Sequence, residues 1–218
     1  MNSSLLARVG KGMDRLAHRY LLGESPNPEN WPPPDDVHAL ALPVGLNKSD
    51  DETTAWVIAK EYTEDWTHRR TPIGAQSYRF VENGEYDCGW RLADLAHRFV
   101  AAHAANTTWD IITIIPSPPV FTPTPVLEWT AERFARELGA RFRPDLFTMA
   151  APLRDHPDRL RKLPMPLADL LILSHPEFVF AKKMILADWR WEQGRVMTVA
   201  AKLLRRAGAE VFCLAWLG

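Results

Sequence analysis

Three short, mostly apolar runs alternate with amphipathic stretches in the second half of the chain. The runs are Asp110–Ile115 (DIITII), Lys183–Ala187 (KMILA) and Glu210–Trp216 (EVFCLAW). Apolar spacing of three and four residues predicts helices over Gly89–Ala105, over Val126–Leu138 ended by Gly139, and over Arg195–Ala207 ended by Gly208. Strands with no polar alternation must be covered on both faces. Strands alternating with helices therefore give the expected fold class: α/β, a mostly parallel sheet with helices on both faces.

The first half is less regular. Leu5, Val9, Met13, Leu16 and Tyr20 recur at helical spacing within Ser4–Leu22, opposite a face carrying Arg8, Lys11, Arg15 and Arg19. Ser25–Asp36 then holds five prolines in twelve residues, too many for a helix or a central strand. Residues 1–36 are thus expected to be a helix and a proline-rich tether, and residues 37–218 the α/β domain. Between them and Gly89, Ala39–Val44 and Ala55–Ala59 suggest short strands. Tyr62, Trp66, Tyr78 and Phe80 add aromatic bulk without a clear period. Pro116–Pro125 is expected to be a loop, Pro144–Pro166 to be mostly irregular, and Leu167–Leu173 is a further apolar run.

Composition narrows the function classes. The 26 Lys and Arg nearly cancel the 27 Asp and Glu, leaving a formal charge of −1, which removes the simplest case for a nucleic-acid binder. Cys88 and Cys213 are the only cysteines, so a disulfide scaffold is excluded and a reducing cytoplasm is expected. No run approaches the roughly 18 apolar residues of a membrane span, and the charged first 23 residues do not read as a signal peptide. No Ser/His/Asp signature, GxGxxG, Walker loop or CxxC pair occurs. His97 and His103 lack neighbouring ligands at metal-binding spacing, so no metal is expected.

Ligands of open α/β sheets bind beyond the carboxyl ends of the strands. Two segments there stand out. One is Pro116–Pro119, which includes Ser117; the other runs from Asp188 through Trp189, Arg190, Trp191, Glu192 and Gln193 to Gly194, just before the helix opening at Arg195. First-turn amides of that helix would face an anion.

The segment KKMILADWRWEQGRVMTVAAKLLRRAGAEVFCLAWLG resembles the closing third of the type I phosphoribosyltransferase fold. In that family a VLLVDD-like strand leads into a TTGxT-like turn, a helix ending in RRAGA and a VxVLxLA-like strand. The likeness is greatest to the phosphoribosyltransferase-like domains associated with bacterial RecQ-type helicases, and more distant to ComF competence proteins. WDIITIIPSPP resembles the first core strand and its pyrophosphate-side loop, and WTAERFARELGARF the helix that follows. The resemblance covers about residues 89–218.

In the family, two adjacent carboxylates hold the ribose hydroxyls of phosphoribosyl pyrophosphate, and the turn holds the 5′-phosphate. Here Asp188 matches the first acidic position, but Trp189 occupies the second. The phosphate turn reads Glu192, Gln193, Gly194, Arg195, Val196, retaining only its glycine. Glu192 opposes a phosphate by about 1 kcal/mol per charge pair at 4 Å in water, although Arg195 offsets part of that. An oxocarbenium-like transition state needs nearby negative charge and a held leaving group, so this loop should have lost most of its catalytic power.

The resemblance thus implies no catalytic residue. Asp188, Trp189, Arg190, Gln193, Gly194, Arg195 and Ser117 remain ligand-binding candidates. Arg154, Arg159, Arg161 and Lys162, with His156 beside them, lie where the family's mobile loop would be; with Asp155 and Asp158 interspersed, they also read as a solvated surface. Trp189 and Trp191 either form a stacking platform or fill a vacated pocket or subunit interface.

Three functions follow as expectations. The first is a degenerate, non-catalytic binding or scaffolding subunit in bacterial DNA metabolism or phage defence, without a cofactor. A second is an active phosphoribosyltransferase or nucleotide-processing enzyme, which alone would require magnesium with phosphoribosyl pyrophosphate. The third is a nucleic-acid-binding subunit acting through a complex. Nine tryptophans suggest a homo-oligomer or a partner protein, with no membrane association.

Overall fold

A computed structural model describes residues 42–45, 54–61, 69–116, 124–149, 171–191 and 195–218. Its strands are β1 (Leu42–Gly45), β2 (Thr54–Ala59), β3 (Ile111–Ile114), β4 (Arg141–Phe142), β5 (Phe147–Met149), β6 (Leu171–Leu173), β7 (Lys183–Arg190) and β8 (Glu210–Leu217). The helices are α1 (Pro72–Asn83), α2 (Tyr86–His103), α3 (Thr124–Leu138) and α4 (Arg195–Arg206). The expected helix Ser4–Leu22 and the proline-rich segment lie outside the described residues.

Six strands form one sheet in the order β1-β2-β8-β7-β3-β4. All neighbours from β2 to β4 are parallel, and β1 pairs antiparallel at the edge. Register is set by the apolar runs: Ile112 lies opposite Ile185, and Leu186 opposite Cys213. A one-residue slip would turn every such side chain to the other face. β5 and β6 form a separate antiparallel pair.

Alternation along the central strands divides the core into two layers. Ile185, Ala187 and Trp189 of β7 join Phe80, Leu92, Phe99, Leu127, Phe134 and Trp216 on the face covered by α1, α2 and α3. Met184 and Leu186 face the opposite side, with Met197, Ala201 and Leu204 of α4 and with Leu146, Phe147 and Leu171 around the β5–β6 pair. The expectation of a mostly parallel sheet with helices on both faces is therefore met.

Local signals explain the helix ends. Thr71 caps α1 by accepting the Gly74 N–H at 3.0 Å, and Pro72 stands at the first helical position, where its missing N–H costs nothing. Gly84, at φ 67°, closes α1 in a left-handed conformation that glycine adopts without strain. Arg133–Glu137 and Arg136–Glu132 pairs run along α3 at four-residue spacing. α4 ends in Arg205 and Arg206 beside its carbonyl terminus.

Several sequence expectations are corrected. α1 fills a region that showed no clear period, because its buried positions, Ile73, Ser77 and Phe80, include a serine and so weaken the apolar stripe. α2 begins at Tyr86 rather than Gly89. The stretch after Pro144 opens with a 3₁₀ turn, Pro144–Leu146, and then β5. Strand β7 continues through Asp188, Trp189 and Arg190, which had been expected in a loop. Pairing with β8 sustains it: Asp188 lies opposite Ala215 and Arg190 opposite Leu217.

Candidate functional site at the carboxyl ends of the strands

β2, β8, β7 and β3 all end on the same side of the sheet. Their ends are tied together by backbone hydrogen bonds. The Gly218 N–H donates to the Ala59 carbonyl at 2.9 Å, the Glu61 N–H to the Gly218 carbonyl at 2.9 Å, and the Trp191 N–H to the Leu217 carbonyl at 2.7 Å. The opening of α1 is fastened to the same place. Thr71 donates its N–H to the Glu61 carbonyl at 3.0 Å, while its hydroxyl donates to the Lys60 carbonyl. Gly74 is needed here, because a Cβ at that position would sit 2.1 Å from the Glu61 carbonyl oxygen.

Period-two alternation separates Asp188 from Trp189 at the end of β7. Asp188, opposite Ala215, shares the face of Met184 and Leu186, the side that α4 covers; Trp189 points the other way. The Trp189 ring is 3% exposed and packs 6.1 Å, centroid to centroid, from both Phe80 and Trp216. Phe80 in turn meets Tyr86 and Trp129, and the indole Nε1–H of Trp216 donates to the Leu92 carbonyl at 3.0 Å. A ring so enclosed presents no face to a base, so the stacking platform expected as one reading of Trp189 is replaced by core filling. Trp191 is half-buried against the core layer beneath α4. Trp189, being enclosed, no longer argues for a partner surface.

Asp188 is half-buried, and its Oδ1 accepts the N–H of Trp189 at 2.7 Å, so part of its acceptor capacity is spent on the adjacent peptide. Arg190 reaches across the end of β8 to β2. Its Nη2 lies 2.8 Å from both carboxylate oxygens of Glu61. The Glu61 side chain is 11% exposed and the Arg190 side chain 42%. No sequence motif marked Glu61, which lies 129 positions from its partner; only the order of the strands brings the two together.

Arg195 opens α4, and Val196 behind it packs at the edge of the same core layer. Ser117, Gln193, Gly194, and Arg154, Arg159, Arg161 and Lys162 lie outside the described residues, as do the basic residues of the first helix.

Other titratable groups lie away from the strand ends. Asp94 of α2 and Glu137 of α3 have carboxyls raised above their ordinary range, chiefly by burial, even though Arg98 and Arg133 pair with them at 2.7 Å. Among the described residues, the buried second oxygen of Glu137 has no hydrogen-bond partner. Burial pushes the Cys213 thiol up to about 12 and also raises Cys88. His103 stacks against Phe99 and Trp56. Among the described residues, no three His, Cys, Asp or Glu side chains gather to hold a metal ion, and no helix is long and apolar enough to cross a membrane. Compared with known proteins, the chain matches no family profile and no curated protein.

Proposed function

We propose that this chain is a degenerate protein of the phosphoribosyltransferase-like class, non-catalytic, acting as a binding or scaffolding subunit. On this reading it works with a partner protein or a second copy of itself, in bacterial DNA metabolism or phage defence, a setting that rests on the sequence resemblance alone.

The placement of Trp189 is the observation that carries the proposal. By resemblance it occupies the second carboxylate position of the ribose-binding pair, and its ring lies in the core between Phe80 and Trp216. One carboxylate, Asp188, remains on the opposite face, partly engaged with its own backbone. The nearest cation in β7, Arg190, is neutralised by Glu61. Among the described residues, the end of β7 offers one carboxylate rather than the adjacent pair that would stabilise an oxocarbenium-like transition state, and its one arginine is already paired with Glu61.

The test is binding and turnover of phosphoribosyl pyrophosphate with magnesium. The proposal expects neither a thermal shift nor release of pyrophosphate in the presence of nucleobases. Release of pyrophosphate at enzymatic rates would replace it with the transferase reading.

A further inference from the structure

Large apolar side chains left in water mark contact surfaces when they cluster rather than scatter. Of the four that are exposed among the described residues, Ile172, Phe178 and Phe180 lie on β6 and the turn leading from it into β7, and the fourth is Tyr78 on α1. Phe180 is 73% exposed, yet its ring rests on Gly208, where an added Cβ would come within 2.7 Å of it. Val179, between the two phenylalanines, is fully buried in the core layer beneath α4 and anchors the turn. Ala181, next in the chain, has φ 55°, the one positive φ at a non-glycine position among the described residues, and its N–H donates to the Gly208 carbonyl at 3.0 Å. That conformation is unfavourable for a residue with a Cβ, so packing and hydrogen bonding, not local preference, hold Phe180 outward.

Phe178 is 46% exposed beneath the Arg143 guanidinium, which lies 4.2 Å from its ring centre and forks onto Asp145 through Nε and Nη2 at 2.8 Å each. Beside the same turn, His175 meets Glu177 at 3.1 Å and Lys182 meets Asp110 at 3.4 Å. Charges around the rings are thus answered within the chain, with both signs side by side. A nucleic acid or a strongly charged peptide gains no net attraction from such a rim. A second copy turned about a twofold axis complements it, setting the cations of one rim against the anions of the other and covering rings with the same rings. We infer that Ile172, Phe178 and Phe180 form the contact between two copies of this chain. This rests on reading the chain as a binding or scaffolding subunit, and it names the surface and the partner. So small an apolar centre belongs to the weak, reversible class of contact, with a dissociation constant on the order of 10 μM.

The test is sedimentation velocity of the full chain from low micromolar to several hundred micromolar, where a concentration-dependent monomer–dimer equilibrium is expected. Phe180→Asp should weaken it at least about tenfold, because a charge then replaces the most exposed ring of the contact. Tyr78→Asp, the same kind of change on α1 across the sheet, should leave it unaltered. Hydrogen exchange of the unaltered protein gives a second readout: the amides of residues 172–180 should become more protected as concentration rises.

A monomer throughout that range, a dimer indifferent to Phe180→Asp, or equal weakening by Tyr78→Asp would overturn the inference. So would growth beyond the dimer, since a twofold contact closes on itself. Protection of the same amides in a monomer, unchanged with concentration, would overturn it in favour of a cover supplied by the chain itself. If Phe180→Asp does not fold, the concentration dependence of hydrogen exchange in the unaltered protein decides. Failure of this inference leaves the non-catalytic reading standing, because that reading falls only if the unaltered protein turns over phosphoribosyl pyrophosphate.

Discussion

Trp189→Asp recreates the paired carboxylates that the family resemblance would ask for, and it separates a missing catalytic group from a rebuilt core. If Trp189 merely stood at the edge of an open site, the change would be nearly neutral for stability. The ring is instead 3% exposed and in contact with the aromatic layer under α1, α2 and α3. Truncating a buried tryptophan costs about 3–5 kcal/mol, and placing a carboxylate in the cavity adds a further desolvation penalty of about 1–3 kcal/mol. The sum is comparable with the total stability of about 5–15 kcal/mol usual for a domain. We therefore expect Trp189→Asp to lower the urea midpoint sharply or to prevent folding, and Trp189→Phe to lose much less. Urea unfolding followed by far-ultraviolet circular dichroism measures this, with an unchanged slope confirming that the same transition is being compared. Trp189→Asp within about 1 kcal/mol of the original protein would refute the buried placement and with it the account of the strand end.

Two further outcomes follow from buried titratable groups. Cys213, with its thiol pushed up to about 12 by burial, should resist alkylation at pH 8 in the folded protein and react only after denaturation; rapid native labelling of Cys213 would contradict its place in β8. Glu137 has a folded-state pKa above its ordinary 4.5, so the folded state holds more protons than the unfolded one between those values. Its contribution to stability is then fully present below the ordinary value and lost as pH rises through the raised one. Glu137→Gln should remove that part of the pH dependence, so that stability relative to the original protein improves from pH 4 to pH 7. A constant difference across that range would show that burial does not govern this carboxyl.

The parallel core could be read directly from the sequence, because strands buried on both faces leave continuous apolar runs and their helices end at Gly139 and Gly208. Helix α1 could not, since its capping by Thr71 and Pro72 is local but its buried face includes Ser77, Gly74 and only two large apolar residues. The end of β7 is obscured in the sequence for a related reason. Asp188 and Arg190 look like loop residues until pairing with β8 shows that they alternate with a buried Trp189. Asp188 and Arg190 were recognised as candidates, but the meaning of Arg190 depended on Glu61. An ion pair between strands so distant in sequence leaves no spacing to detect. Asn83 and Glu85 beside the αL glycine Gly84 are, by contrast, a turn signal that marks the junction of α1 and α2.

The central claim is that the strand ends no longer grip phosphoribosyl pyrophosphate, and a thermal melt with that ligand and magnesium tests it most directly. A ligand at 100 times its dissociation constant adds about 2.7 kcal/mol of stability. In a chain of this size that corresponds to a rise of roughly 5–10 °C in Tm. The account predicts no resolvable shift at millimolar ligand with magnesium present. A reproducible, magnesium-dependent rise of several degrees would contradict it.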